Sequence, residues 1–240
     1  SSVPAVALAT LHQSTKDDRM PLDANWLASR LLTLIPLWLS LSVHEWAHAW
    51  SAKQLGDDTA ERLGRLTLNP LAHIDPVGTL LLPLLGIPFG WAKPVPVQPH
   101  RFHSGVTMRT GMMLTAIAGP IANLCLAAIA LVLLAVAIRF RPDVLAPTNA
   151  AGLLLESMVF LNVALAVFNA LPIPPLDGSR VADGLMPEAL RPAWEGLCQL
   201  GPVALAAVIL LPRFAGLDLF RWPLEATNFL LQQLVILLGR

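Results

Sequence analysis

Long apolar runs, separated by polar stretches broken by proline, set the pattern of the chain. Five runs predict helices over about 25–52, 112–138, 152–171, 197–211 and 224–238. The first three supply the ~20 apolar residues that a membrane-crossing helix needs, and the last two are marginal to adequate. Between the first two runs, residues 59–110 keep no sustained period. Residues 63–68 alternate weakly, as a strand does, while Asn69-Pro70 and Asp75-Pro76 are turn signals. Residues 77–89 are apolar but short and rich in proline and glycine, which suits a re-entrant segment better than a span. Residues 90–97, GWAKPVPV, read as an extended edge strand or polyproline stretch. Such backbone can pair with an extended peptide by strand addition. The expected fold is an all-α polytopic membrane protein, a helical bundle with a short re-entrant, β-like segment between the first two spans. Residues 1–24 form a polar leader and 25–240 the membrane-embedded core.

Composition sharpens this reading. Of 240 residues 55% are hydrophobic and 13% charged, with a mean hydropathy of +0.62. A soluble domain carries nearer a quarter charged residues. The formal net charge is zero, so nothing electrostatic favours nucleic acid. Two cysteines, Cys125 and Cys198, make neither a disulfide framework nor a cysteine zinc site. The N-terminal stretch lacks the basic start and apolar length of a cleavable signal.

The first apolar run ends in Val43-His44-Glu45-Trp46-Ala47-His48. On a helix, His44 and His48 project from one face, one turn apart. That geometry lets two imidazoles share a tetrahedral zinc, with Glu45 as general base on water. Apolar flanks argue against a solvated face, and ionisable groups at membrane depth usually mark function. A structural zinc or a satisfied buried histidine pair fits the same motif.

A hydrolytic zinc takes a third protein ligand and keeps one position open. The third run breaks at Asn169-Ala-Leu-Pro172-Ile-Pro174-Pro175-Leu-Asp177-Gly178. By itself this is a helix end followed by a loop. Asp177, presented by broken backbone at the end of an apolar helix, is the candidate third ligand. Asn123, in Ala118-Gly119-Pro120-Ile-Ala-Asn123, carries an amide into an apolar run, where interhelical hydrogen bonding accounts for it equally well. His73 beside Asp75 is a candidate to orient a ligand from outside the ligand set.

Taken together, the HExxH motif in an apolar helix, the AGPxxN stretch, the NxxPxPxxDG stretch, Gly64–Pro70 (GRLTLNP) and GWAKPVP resemble the site-2 protease family of intramembrane zinc metalloproteases. The likeness runs in order from about Trp26 to Gly178 and fits the small core-only type, without PDZ or CBS domains. It implies His44, His48 and Asp177 as zinc ligands, Glu45 as catalytic acid/base, and substrate-binding or supporting roles for Asn123 and Asn169. It also implies substrates that are membrane proteins with a transmembrane segment, in a multi-pass protein of a prokaryotic cell membrane. A homo-oligomer or a regulatory membrane partner is compatible with it.

The mechanism expected is attack by a zinc-activated water with Glu45 moving the proton, the Asn123 amide assisting at the oxyanion. If 59–110 does not cross, most Lys and Arg collect on one side, which the positive-inside rule makes cytoplasmic. Two competing readings remain: a zinc protein that binds transmembrane helices without cutting them, and a transporter with a polar site in a helix bundle.

Overall fold

The computed structural model describes residues 24–85, 90–201, 203–208 and 221–238. Residues 1–23 of the expected leader, 86–89 of the re-entrant segment and 209–211 of the fourth run lie outside the described residues. The elements are α1 (Ala24–Gln54), α2 (Met108–Phe140), α3 (Ala150–Ala170), α4 (Asp177–Leu185), α5 (Arg191–Gln199) and α6 (Arg221–Leu238), joined by shorter helical turns. No strand occurs among the described residues.

Helices α2 and α3 are long and apolar enough to cross a membrane. The buried positions of α2, among them Thr115, Ala116, Gly119, Asn123, Ala127, Ala130, Leu134 and Ile138, recur mostly every three or four residues and form one face. Most are small. In lipid no hydrophobic force drives helices together, so small residues that allow close approach, and polar groups that bond across, do the work. This face receives α1 and α3, and Leu134 and Ile138 continue it into a cluster with Val144 and Leu231 of α6.

Three sequence expectations change. Residues 63–68 form turns and bends in place of a strand, because Arg65 and Thr67 are spent on other loops. Residues 90–98 are extended, as expected, but pair with no second strand; the N–H groups of Lys93, Val95 and Gln98 go to a loop carbonyl and two side chains, and Pro94 and Pro96 have none to offer. The proline-broken end of α3 leads through a six-residue turn, 171–176, into the nine-residue helix α4, where the sequence suggested that the loop continued. Helix α1 runs through Pro36 without interruption.

The 59–110 region folds against α1. Asp75 caps a wide turn, Pro76–Leu81, by accepting from Val77 and Gly78 N–H. Within that turn Thr79 accepts from Trp38 Nε1 of α1 through its carbonyl and donates its hydroxyl to the Trp91 carbonyl. The turn is thereby tied both to α1 and to the extended stretch. At the other end Asp57, fully buried just past α1, accepts from Gln98 N–H at 2.6 Å. Ala49, Ala60 and Val95 pack into a small core between these anchors.

Candidate metal centre

His44 and His48 lie on the last turns of α1, buried against α2. Helix periodicity stacks their rings, with centroids 4.5 Å apart. Asp177 is the first residue of α4 and buried at 8% exposure. It gets there because α4 sits directly on the end of α3, where a Cβ on Gly178 would lie 2.2 Å from the Ala170 carbonyl oxygen. On the facing side, a Cβ on Gly119 would lie 2.6 Å from both imidazoles, so glycine is what lets α2 close over the pair.

The three candidate ligand atoms converge. His44 Nε2 and His48 Nε2 are 3.0 Å apart, and Asp177 Oδ2 lies 3.1 and 3.2 Å from them. A tetrahedral zinc with bonds of ~2.0–2.1 Å spaces its ligand atoms about 3.3 Å apart. The outer nitrogens define which atoms carry hydrogen. His44 Nδ1–H donates to Asn123 Oδ1 at 2.6 Å, and His48 Nδ1–H to the Thr115 carbonyl at 2.8 Å. With Nδ1 as the donor, a neutral imidazole at either position turns a bare Nε2 toward a carboxylate oxygen that has no hydrogen-bond donor of its own. Three acceptors meeting at 3 Å repel unless a cation lies among them, and two imidazoles with one carboxylate are a donor set that suits zinc.

Glu45 is buried on the same turn, and its Oε2 accepts from Val95 N–H at 2.8 Å. Asn123 is fully buried, and its Nδ2 donates to Asn162 Oδ1 at 2.7 Å and to the Ser40 carbonyl at 3.3 Å. With both ends of its amide occupied by protein, Asn123 supports His44 and has no hydrogen left for an oxyanion. Asn169, at the end of α3, donates to the Leu165 carbonyl and lines a largely apolar cavity of about 530 Å³ together with Asp177. Among the described residues no hydrogen bond joins it to either imidazole. His73 donates from Nε2 to the Thr67 carbonyl and meets Arg65 Nη2 at Nδ1, so it braces loops and orients no ligand. The sequence reading missed Ser40 and Asn162 as members of the site. Their only signal is that polar residues recur on apolar helices.

A helical protein with two helices long and apolar enough to cross a membrane, and a buried group of two histidines and one carboxylate that could hold a metal ion, is the class these features define. Comparison takes the assignment further: residues 136–208 match the model of peptidase family M50. The chain is 43% identical over 160 residues to the Bacillus subtilis (strain 168) protein named "Putative zinc metalloprotease YwhC", covering 66% of this chain and 70% of that one. It is 35% identical over 193 residues to "Putative zinc metalloprotease Rip2" of Mycobacterium tuberculosis (strain H37Rv), covering 79% and 71%. A Rip2 of Mycolicibacterium smegmatis is 38% identical over 166 residues. No solved structure matches. The chain belongs to peptidase family M50, the site-2 protease family.

Proposed function

We propose that this chain is an intramembrane zinc metalloprotease that hydrolyses peptide bonds in or near transmembrane segments of membrane proteins. His44, His48 and Asp177 hold the zinc, and Glu45 is the general base. The observation that carries this reading is the meeting of His44 Nε2, His48 Nε2 and Asp177 Oδ2 within 3.0–3.2 Å of one another beside a buried Glu45, in a family of membrane-embedded peptidases.

Zinc, when bound, makes water a nucleophile at neutral pH and polarises a carbonyl. The protein's own groups do the rest. The Nδ1 hydrogen bonds of His44 and His48 keep both rings turned toward the centre. Glu45, oriented by Val95 N–H, takes the proton of the attacking water and returns it to the leaving amine. Burial excludes bulk water from the exchange, while Asp177 at the wall of the 530 Å³ cavity marks where substrate enters from the apolar side. A substrate helix hides its amides in its own hydrogen bonds and must unwind before attack. Beside the extended 90–98 stretch, the N–H groups of Lys93, Val95 and Gln98 are already spent, so the carbonyls of Pro94 and Pro96 are the groups that receive an unwound segment.

The polytopic arrangement belongs to the same proposal. Helix α1 is 31 residues long, enough to cross alongside α2 and α3. Among the described residues between 59 and 107, helix occurs only as short turns, which supports a re-entrant path and a metal centre toward the cytoplasm of a prokaryotic cell. Asn169, beside Asp177 in the cavity, contacts substrate.

The test pairs wild type with Glu45→Gln in detergent, measuring metal content and cleavage of single-span substrates. One zinc in both with cleavage in wild type alone is expected. Zinc in both with cleavage in neither points to a helix-binding protein, and no zinc in either removes the metal centre.

A further inference from the structure

Beneath the metal centre a chain of buried polar groups runs through three helices. Ser40 of α1, Asn123 of α2 and Asn162 of α3 are each fully buried. We infer that Asn162, acting with Ser40, is a positioning residue for the metal centre: it fixes the direction of the hydrogen bonds that end at His44 and so leaves His44 Nε2 bare. The inference rests on the metal centre proposed above.

Direction follows from the far end, where two backbone carbonyls can only accept. Ser40 donates its one hydroxyl hydrogen to the Pro36 carbonyl at 2.7 Å, so toward Asn162 its oxygen must accept. Asn162 Nδ2 supplies that hydrogen at 2.8 Å and a second one to the Met158 carbonyl at 2.7 Å. With its NH₂ thus committed, Asn162 faces Asn123 with Oδ1. Asn123 must then present Nδ2 to Asn162 at 2.7 Å, the shorter of its two donated bonds (the other goes to the Ser40 carbonyl at 3.3 Å), which turns its own Oδ1 to His44. An oxygen at 2.6 Å from His44 Nδ1 demands a hydrogen there. Every member has one consistent orientation, and reversing any one of them sets hydrogen against hydrogen or lone pair against lone pair.

His48 does not need such a relay, since the Thr115 carbonyl is an acceptor by constitution. An asparagine amide is not. Its two ends are nearly the same shape, and a flipped Asn123 would offer N–H to His44 and stabilise the tautomer whose Nε2 carries the hydrogen. That tautomer cannot ligate. Partners of this kind, one step beyond a ligating histidine, are worth about 10- to 100-fold in metal affinity.

The experiment compares wild type, Asn162→Leu and Asn162→Asp as full chains in detergent. Zinc affinity is read by competition with a chromophoric chelator, and ligand geometry by the visible absorption of the cobalt(II)-loaded protein. Leucine has the asparagine's branched four-atom skeleton, with bulkier methyl groups, and offers no acceptor. A buried aspartic acid stays neutral and keeps both an acceptor for Asn123 and a donor for Ser40 or Met158. Asn162→Leu is expected to bind zinc about 10- to 100-fold more weakly, with altered cobalt bands. Asn162→Asp should stay within about threefold of wild type with native bands, the recovery expected of a residue whose hydrogen bonds matter. Asn162→Ala carries the same expectation as leucine and replaces it if that variant does not purify. Zinc affinity unchanged in the leucine or alanine variant overturns the inference, as does equal weakening in the aspartate variant, which keeps both the asparagine's shape and an acceptor for Asn123. A wild type that binds no zinc sinks the metal centre itself, and this inference with it.

Discussion

Val95 and Glu45, fifty positions apart, are joined by a 2.8 Å hydrogen bond from the backbone N–H to the carboxylate Oε2. The donor lies between Pro94 and Pro96, so within this three-residue stretch it is the only N–H. The stretch is held at both ends: Lys93 N–H donates to the His73 carbonyl, and Gln98 N–H to Asp57. Glu45, the proposed general base, is thus aimed by a segment outside its own helix.

Removing that donor isolates its contribution. Val95→Pro deletes the hydrogen, whereas Val95→Ala keeps it. A hydrogen bond to a charged group contributes about 1.5–3 kcal/mol, so the proline variant should lose roughly 10- to 100-fold in kcat. Zinc content should stay at the wild-type level in both, and the alanine variant should retain most of its activity. Steady-state cleavage with metal analysis on the same preparations checks this. Loss of zinc in the proline variant would show that the stretch supports the metal and not the base.

Gly119 tests the closeness of α2 to the imidazoles. A methyl group there would stand 2.6 Å from carbon and nitrogen atoms of His44 and His48, well inside contact distance. Relief requires one ring to turn or α2 to move, at the ~1–3 kcal/mol typical of overpacking. Gly119→Ala should therefore weaken zinc binding by about 10- to 100-fold and reduce cleavage in parallel. Chelator competition measures the first and substrate cleavage the second. Ala118→Gly, on the preceding residue, serves as a helix-propensity control.

What was legible in the sequence follows from the range of the forces involved. The apolar runs of α1, α2 and α3 are local composition, and their bounds fall within four residues of expectation. The His44–His48 pairing is local too, because four residues make one helical turn. Asp177 could be found only by asking what chemistry was missing, since 129 positions separate it from His48. The strand expected at 63–68 failed because alternation in so short a segment does not say whether a partner strand exists. Helix α4 was read as loop because Pro172, Pro174 and Pro175 end the preceding helix, yet none lies inside the next one. Asn123 was given an oxyanion role that its Nδ2 bonds to Asn162 and Ser40 exclude. Which way an amide faces is decided by neighbours on other helices, and no local pattern records it.

Asp57 should be the main brace of the polar loops. It is fully buried and accepts from Thr59 N–H at 3.0 Å, from the Thr59 hydroxyl and from Gln98 N–H, with Arg101 Nε 3.7 Å away. Asp57→Ala strands these donors in a buried place, and lost hydrogen bonds to a charged group cost about 1.5–3 kcal/mol each before relaxation. The expected result is a thermal inactivation midpoint several degrees lower and faster proteolysis within residues 90–105. Cleavage should fall as well, because Gln98 fixes the far end of the segment that holds Glu45. An unchanged midpoint would show that the Thr79–Trp91 and His73–Lys93 ties suffice.

Metal removal separates a catalytic zinc from one that holds the fold. The backbone bonds of α2 and α3 are internal to each helix, and both helices are apolar along their length, so neither needs zinc to remain helical in detergent. Stripping with a chelator should abolish cleavage, leave the far-UV circular dichroism unchanged, and raise proteolysis only around Pro172–Gly178, where Asp177 is released. Adding back one equivalent of zinc should restore activity within the mixing and binding time, since no helix has to re-form. A structural zinc predicts the opposite order of events: helical signal lost with the metal and activity returning only as slowly as the chain refolds. The time course of recovery therefore distinguishes the two roles even if both preparations end fully active.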